Sequence, residues 1–550
     1  MKILVVENAR GFREEWVLLL RTYGNDCNPI PDLESQEAKD INAMHYDLAL
    51  VDRRAKDDTD SLDESGQKFA IRLCELGTPA VLVTAFRPDD LVLFELLRKG
   101  SVTGIADKAI DMLELATCVE EFKLSHRFPN CVAKFSWKGG AEDNFAQADW
   151  EKIRKKLPNT LATAEEFAVL FRSLIPPCAM RVELESIAPG HGGAALFRAR
   201  VSSGDGPVVE EVAIKFGERN SIHGEAMRYD RHVGPLPDGV AAHLRWRKET
   251  KSLGALAYSW VGDSIEDGVP FGPVGPGLSR LTWRRRRSAV DRLFSVSLDP
   301  WYRAYRSDIG KPAKPASLLE YYLGPDGYFG KVPFSDHPLP TELPSPVLLD
   351  GEHWDFGPFG KIANPTHWLI NGTGSKVRLT RYCPCHGDLH VKNIFVLPDN
   401  SPRLIDFGDT ALGHVFRDFA ALETSIRLTC CNTTDLGALQ EAADSLATVD
   451  SLGDHIDYRT IAENQEYDDL RESLKIVMQI RRSALDAVGD HFTTVNMKEY
   501  LIAVTLRMLR YADGVADEVS SKESPEEKVI RRWHALYVAA KSAEQAERLK

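Results

Sequence analysis

The sequence predicts a multidomain chain, α/β at the N-terminus with a doubly wound parallel sheet and α+β beyond it. Three observations predict this. The 550 residues exceed the roughly 300 that one hydrophobic core organises. Through residue 125, short apolar runs alternate with amphipathic stretches. From Arg181 onward the pattern changes to strand, glycine-rich turn and strand, and the C-terminal part reads as helices.

The apolar runs of the first part are Ile3–Val6, Leu48–Val51, Ala80–Val83 and a weaker Val102–Ile105. Helical periodicity fills the intervals at Phe12–Tyr23, Gln67–Leu76, Asp89–Arg98 and Ile110–Lys123. Buried short strands alternating with amphipathic helices form a parallel sheet covered on both faces. Ligands of such sheets bind beyond the carboxyl ends of the strands. Glu7 and Asn8, Asp52, Thr84 and Lys108 occupy those ends.

Composition narrows the function classes. The chain is 43% hydrophobic and 27% charged, an ordinary globular balance. Its net charge of -13 opposes a nucleic-acid backbone as main partner. The charge is uneven, since residues 1–126 hold 15 Lys and Arg against 24 Asp and Glu. No apolar run reaches the ~20 residues of a membrane helix. MKILVV runs directly into Glu7 without the long apolar region of a signal peptide. Nine scattered cysteines argue against a secreted disulfide framework. A cytoplasmic setting, with no membrane and no nucleic-acid partner, is the expectation.

With Glu7/Asn8 after the first strand, Asp52 after the Leu48–Val51 run, Thr84 after Ala80–Val83 and Lys108 after the last, residues 1–125 resemble a response-regulator receiver domain. The resemblance implies a flavodoxin-like fold with Asp52 as phospho-acceptor. It implies a divalent cation, Mg2+, held by Glu7 and Asp52, and Thr84 and Lys108 as the switch residues that meet the new phosphoryl oxygens. It also implies an upstream histidine kinase as partner. Two positions depart from the family: Asn8 replaces a carboxylate of the acidic pair, and Ala109 stands where proline is usual. Losing an anionic ligand lowers magnesium affinity, unless a carboxylate of the acidic 57–64 loop substitutes. The alternative is a receiver-shaped docking domain that is never phosphorylated.

Residues 126–180 read as a helical linker. Ser136–Gly140 and Pro158–Thr160 are read as loops, with a short helix near Ala146–Lys156. Thr163-x-x-Glu166 before Phe167, Leu170 and Phe171 is a capping-box start. Pro176-Pro177 ends that helix.

In 181–262, strands Val182–Ile187 and Ala195–Val201 flank Pro189-Gly190-His191-Gly192-Gly193. Such a turn can cover phosphates with backbone N–H groups. Glu211-Val-Ala-Ile-Lys215 follows, with Glu225 ten residues on in a helical stretch. In 263–550, residues 386–393 read His-Gly-Asp-Leu-His-Val-Lys-Asn and 404–408 read Leu-Ile-Asp-Phe-Gly. Asp388 and Asn393 are five apart, and Asp406 lies 18 beyond Asp388. A tight loop aims Asp388 at a hydroxyl while Asn393 and Asp406 turn to a cation.

HGDLHxxN followed by IDFG resembles the aminoglycoside phosphotransferase and choline kinase branch of the protein-kinase-like fold, over about residues 180–431. Asp418-Phe419-Ala420 resembles the Asp-Leu-Ala segment of that branch. The resemblance implies a bilobal fold: an N-lobe at 181–262, and a C-lobe at 263–550 with an insertion and C-terminal helices. It implies Asp388 as catalytic base, Asn393 and Asp406 as Mg2+ ligands, and Lys215 on the nucleotide phosphates with Glu225 fixing it. Gly190, Gly192 and Gly193 would cover those phosphates, with ATP or GTP as co-substrate. Gly387 stands where the protein kinases favour arginine. The acceptor is an unidentified hydroxyl on a small molecule or a protein.

Cys383, Cys385, His386 and His390 suggest zinc, but no second ligand pair has the usual spacing and structural or reactive-thiol roles are preferred for the cysteines. Arg284–Arg287 is either a dock for an acidic partner, including the receiver, or a solvated helix face. The Gly- and Pro-rich stretch from Gly262 to Arg381 is the expected place of substrate selection. Helical patterns at Ile461–Ala487 and Met497–Ala512 complete the C-lobe or form the surface of a homodimer. The expectation is a two-component-type signalling protein whose receiver is coupled to an alcohol-group phosphotransferase. Two rivals stand beside it: a non-catalytic scaffold of pseudo-receiver and pseudokinase, and a small-molecule kinase whose receiver serves only for assembly.

Overall fold

The computed structural model describes residues 1–34, 46–55, 63–76, 78–85, 91–99, 101–109, 112–125, 134–137, 142–143, 154, 163–175, 179, 181–187, 194–202, 208–261, 268–272, 281–306, 317–323, 347–348, 351–377, 382–431, 433–456, 467–489, 493–513 and 524–549. The chain divides into two compact units. One comprises Met1–Ala226 and His243–Trp260, the other Met227–Ala242 and Val261–Lys550.

The first unit opens with β1 (Lys2–Val6), α1 (Arg10–Thr22), β2 (Asp26–Ile30), β3 (Leu48–Asp52), α2 (Ser65–Glu75), β4 (Ala80–Thr84), α3 (Leu91–Arg98), β5 (Gly104–Asp107) and α4 (Met112–Ser125). The strands form one five-stranded sheet in the order β2-β1-β3-β4-β5, and every pairing is parallel. β3 and β4 are buried along their whole length, as interior strands covered on both faces must be. Side chains alternate between two cores. Ile3, Val5, Leu48, Leu50, Val81 and Val83 meet Trp16 and Phe122 on one face. Leu4, Val6, Ala49, Val51 and Leu82 meet Leu73 and Leu93 on the other. This is the doubly wound α/β arrangement expected of the N-terminus. The second strand, Asp26–Ile30, was absent from that expectation. It lies at the sheet edge, where Pro29 removes no interior ladder bond.

Next come β6 (Lys134–Trp137), β7 (Glu142–Asp143), α5 (Ala164–Leu174), β8 (Arg181–Ile187), β9 (Ala195–Ser202), β10 (Val208–Glu218), α6 (Arg219–Arg228), β11 (Leu244–Glu249) and β12 (Leu253–Ser259). Seven strands form a sheet ordered β11-β12-β10-β9-β8-β6-β7. Part of the segment expected to be helical linker is therefore sheet: β6 pairs in parallel with β8, Phe135 opposite Val182. The Ser136–Gly140 loop expectation fails at Ser136 and Trp137, which belong to β6. Most of the helix expected near Ala146–Lys156 lies outside the described residues.

α5 packs on the sheet through Phe167, Leu170, Phe171 and Leu174. Phe167 and Phe171 lie 4.7 and 5.6 Å from the Phe216 ring of β10. Thr163 caps the helix by accepting from the Glu166 N–H at 3.2 Å. The Glu166 carboxylate accepts from the Thr250 hydroxyl and the Ser252 N–H instead, which ties α5 to the β11–β12 turn. α4 also reaches this layer, because Arg172 of α5 is buried against Glu114 and Lys248 of β11 pairs with Glu121.

The second unit is mainly helical. In its first part are β13 (Val269–Pro270), α7 (Trp283–Arg292), α8 (Asp299–Arg306), α9 (Leu318–Leu323), β14 (Val347–Leu348), β15 (His353–Asp355), β16 (Lys361–Ala363) and α10 (Pro365–Ile370). β17 (Tyr382–Cys385), β18 (Ile394–Val396), β19 (Pro402–Leu404) and β20 (Ala411–His414) follow. α11 (Arg417–Thr429), α12 (Leu436–Ala447), α13 (Asp468–Val488), α14 (Thr493–Ala512) and α15 (Pro525–Arg548) close the chain. α11 is buried on nearly every side, the mark of a helix at the centre of a bundle. Its Glu423, itself buried, accepts from Arg481, Arg427 and Tyr500. α15 starts with a full capping box, Ser524 with Glu527. No helix among the described residues is long and apolar enough to cross a membrane.

Candidate functional site

At the carboxyl end of the five-stranded sheet, parallel pairing brings Glu7, Asp52 and Lys108 together. The Lys108 Nζ lies 3.2 Å from a Glu7 oxygen and 3.1 Å from an Asp52 oxygen. Both carboxylates are buried, and so is Thr84, whose carbonyl accepts from the Lys108 N–H at 2.8 Å. Burial pushes the Glu7 carboxyl above its ordinary range, and the Asp52 charge adds to the rise. The Ala9 N–H and Lys108 oppose it. Asn8 donates to the Arg54 carbonyl at 3.0 Å, which leaves its buried Oδ1 without a hydrogen-bond donor. Two carboxylates and this amide oxygen are hard donors that suit Mg2+.

Sequence reasoning missed Gly66. A Cβ there would lie 1.7 Å from the Asp52 carbonyl oxygen, so only glycine lets α2 start so close to Asp52.

On the seven-stranded sheet, Lys215 points from β10 to Glu225 of α6. The Nζ–Oε2 distance is 2.9 Å. Tyr258, opposite Ala213 on β12, donates to the other Glu225 oxygen at 2.9 Å. Glu225 is 3% exposed, so the pair is fixed by packing as well as charge. Gly254 permits this approach, since a Cβ there would meet Ile222 of α6 at 2.6 Å. Gly190, Gly192 and Gly193 lie outside the described residues.

In the second unit, the loop between β17 and β18 is held from several sides. Asp418 of α11 accepts from the His386 N–H at 2.6 Å and the Gly387 N–H at 2.9 Å. Arg417 and Arg507 both donate to the Gly387 carbonyl. Gly387 has φ +90, and a Cβ would lie 2.2 Å from the Asp409 carbonyl oxygen. Only glycine fits that turn, which accounts for the absence of arginine there. The Asn393 Nδ2 donates to the Asp388 carbonyl at 2.9 Å, and its other amide atom, Oδ1, is an acceptor by type. Asp406 has φ +61, a conformation costly for a non-glycine residue and concentrated at functional sites.

The Asp388 carboxylate has two cationic or donor neighbours. His390 Nε2 lies 3.3 Å from Oδ2, and Arg507 Nη1 lies 3.8 Å from Oδ1. Burial works to raise the carboxyl, but the His390 hydrogen bond and the Arg507 charge are among the contacts that outweigh it. They hold Asp388 well below the usual carboxylate range. Asn393 and Asp406 offer oxygen donors that suit Mg2+ on the same chemical grounds. Arg507 had no sequence signal, since it reaches the loop from α14, 120 residues beyond Gly387.

The zinc arrangement weighed for Cys383, Cys385, His386 and His390 does not form. Among the described residues no group of three or more His, Cys, Asp or Glu is placed to hold a metal. The two sulfurs lie 3.8 Å apart, and both cysteines are buried in β17. Of the arginine run, Arg285 bonds Asn400 and the Leu397 carbonyl, Arg286 bonds the Phe271 carbonyl, and Arg287 pairs with Glu472. These three are spent on contacts within the second unit, while Arg284 is exposed.

The family described as Ternary complex associated domain 9 matches residues 343–511, a span containing Asp388, Asn393, Asp406, Asp418 and Arg507. No curated protein matches the chain. Among the solved structures similar to parts of it are these three. The N-terminal domain of a response regulator/sensory box/GGDEF three-domain protein from Carboxydothermus hydrogenoformans is 23% identical. It covers 23% of this chain and 97% of its own, with a TM-score of 0.19. A protein assigned as an aminoglycoside phosphotransferase from Ralstonia eutropha is 12% identical. It covers 67% and 93%, with a TM-score of 0.36. A choline kinase from Streptococcus pneumoniae is 10% identical and covers 66% and 94%, with a TM-score of 0.33.

Proposed function

We propose that this chain is a two-component-type signalling protein in which a receiver domain is coupled to a kinase-like phosphotransferase. Asp52 is the phospho-acceptor, supplied by an upstream histidine kinase, with Thr84 and Lys108 responding to the new phosphoryl group. The second half transfers the γ-phosphate of ATP or GTP to a hydroxyl acceptor. The observation that carries this reading is the loop at 386–393. Asp418 fixes its start, Gly387 makes its turn, and Asn393 is bonded to Asp388.

The chemistry follows from the residue types. The acceptor hydroxyl is oriented by Asp388. Its oxygen bonds to the γ-phosphorus, the bridging P–O bond to the nucleoside diphosphate breaks, and the hydroxyl proton passes to Asp388. A carboxylate of depressed pKa serves here because the proton moves late and orientation is the main task. Lys215, held by Glu225, grips the nucleotide phosphates, and Gly190, Gly192 and Gly193 cover them. Bound Mg2+ would neutralise phosphate charge; Asn393 and Asp406 would hold it in the second half, Glu7 and Asp52 in the receiver.

The test is turnover of Mg-ATP or Mg-GTP by the purified full chain, with and without candidate hydroxyl acceptors. Asp388→Asn is expected to abolish transfer and leave nucleotide binding nearly intact. Asp406→Asn is expected to weaken magnesium-dependent binding as well. Equal turnover by Asp388→Asn and wild type would remove the reading.

A further inference from the structure

His390 is the one side chain within 3.5 Å of the Asp388 carboxylate oxygens among the contacts described above, and the phosphotransferase reading gives it no task. Its ring is constrained from both ends. On one side, the Lys392 N–H donates to Nδ1 at 3.2 Å, so that His390 caps the turn Val391–Asn393. An atom that accepts a hydrogen bond carries a lone pair, so Nδ1 bears no proton. In a neutral imidazole the proton then sits on Nε2. On the other side, Nε2 lies 3.3 Å from the Asp388 Oδ2. The backbone thus selects the tautomer, and the tautomer makes His390 a donor to Asp388. The His390 N–H also donates to the Asp388 carbonyl at 3.1 Å, so the two residues are tied by main chain and side chain together.

The two carboxylate oxygens are consequently not equivalent. Oδ2 is engaged by His390, whereas the Arg507 Nη1 is 3.8 Å from Oδ1, beyond hydrogen-bond distance. We infer that His390 is a positioning residue which holds Asp388 through its Nε2–H and leaves Oδ1 as the oxygen that meets the acceptor hydroxyl. The inference rests on the phosphotransferase reading for its functional half. Its structural half, the Nε2–H tautomer, stands apart from any activity. His390 cannot itself relay the proton onward in this arrangement. Nε2 already carries one, and Nδ1 is covered by the backbone. Its contribution is orientation, where a displacement of about 1 Å costs about 100-fold in rate.

Two substitutions separate the two hydrogen bonds. In His390→Asn the side-chain oxygen falls near the Nδ1 position, so the cap to the Lys392 N–H survives and the reach to Asp388 is lost. In His390→Gln the amide nitrogen falls near the Nε2 position, so the donor to Asp388 survives and the cap is lost. With the full chain and Mg-ATP, kcat is expected to follow the donor. His390→Asn and His390→Ala should fall by about 10- to 100-fold, and His390→Gln should exceed His390→Asn by about tenfold or more. KM for Mg-ATP should be shared by all four proteins. The unfolding midpoint is expected to follow the cap instead, with His390→Asn close to wild type and His390→Gln and His390→Ala below it. A purely structural role would make kcat and midpoint move together, and wild-type kcat in His390→Asn would overturn the inference.

A second measurement needs no turnover. In the imidazole 15N–1H spectrum of histidine-labelled full chain, the signal missing in His390→Gln should be an Nε2–H tautomer. An Nδ1–H tautomer would overturn the inference even in an active enzyme. Absence of Mg-ATP turnover in wild type, with any acceptor, removes the phosphotransferase reading and the positioning role with it. Turnover shared by wild type and His390→Asn removes only the role of His390.

Discussion

Arg172 of α5 is buried against Glu114 of α4, joining the last helix of the parallel-sheet domain to the helix beneath the seven-stranded sheet. Arg172 also stacks 5.1 Å above the Phe135 ring of β6. Removing one partner of such a pair leaves a buried charge and typically costs about 3–5 kcal/mol. Glu114→Ala should therefore destabilise the first unit by about that amount in chemical denaturation. Adding Arg172→Met should recover much of the loss, because the orphaned charge is gone. Unchanged stability in Glu114→Ala would show that α4 and α5 do not depend on each other.

The legible parts of the fold were those whose own residues dictate their environment. Leu48–Val51 and Ala80–Val83 are apolar throughout because β3 and β4 are covered on both faces. Asp26-Cys-Asn-Pro-Ile30 carries no such pattern, since β2 takes its conformation from the edge of β1. Lys134–Trp137 takes its strand conformation from its neighbours β8 and β7. The site divides in the same way. Asp388, Asn393 and Asp406 were visible because one loop and one hairpin fix their spacing. Arg507 and the Arg172–Glu114 pair were invisible, because tertiary packing brings distant helices to them. Arg284–Arg287 misled in the opposite sense, as a charge run whose members mostly bond carbonyls and acidic groups of their own unit.

The Lys215–Glu225 pair gives a second prediction. Glu225 is shared between the Lys215 Nζ and the Tyr258 hydroxyl. A hydrogen bond to a charged group contributes about 1.5–3 kcal/mol. Glu225→Gln should thus lower kcat/KM for Mg-ATP by about 10- to 100-fold, and Tyr258→Phe by less. Lys215→Arg should not restore function, since a planar guanidinium cannot reproduce the point charge of an ammonium. Wild-type kcat/KM in Glu225→Gln would mean that Lys215 needs no tether.

His534 makes the second unit sensitive to acid. The ring is buried in α15, and burial, then the charges of Arg427 and Arg531, pull its pKa down to about 3. The unfolded chain binds this proton near the ordinary histidine value of about 6.5. Stability is therefore complete above that value and falls as pH drops below it, by about 1.4 kcal/mol per pH unit until the native ring protonates. His534→Leu should remove this component of the acid transition, read as the unfolding midpoint between about pH 6 and 4. The same slope in His534→Leu would assign the acid transition to other groups.

The pocket at the end of the parallel sheet reverses that sign. The native Glu7 carboxyl holds its proton more tightly than the unfolded chain does, because burial and the Asp52 charge oppose ionisation. The stability gained from that proton is complete below the ordinary glutamate range. It is lost as pH rises through the raised Glu7 value. Glu7→Gln keeps an oxygen for the Ala9 N–H, which now bonds Glu7 at 3.0 Å, and removes the repulsion with Asp52. Without magnesium its unfolding midpoint at neutral pH should exceed that of wild type. Magnesium should narrow the difference, because a cation stabilises the ionised carboxylates of wild type more than the amide. Asn8→Asp adds a third carboxylate, so it should lower the metal-free midpoint and strengthen the response to magnesium. An acyl-phosphate donor in magnesium should then label Asp52 in Asn8→Asp at least as well as in wild type, and not at all in Asp52→Asn. Equal metal-free midpoints for wild type and Glu7→Gln between about pH 5 and 8 would mean that Lys108 already balances both carboxylates. The pocket would then have no electrostatic demand for a metal.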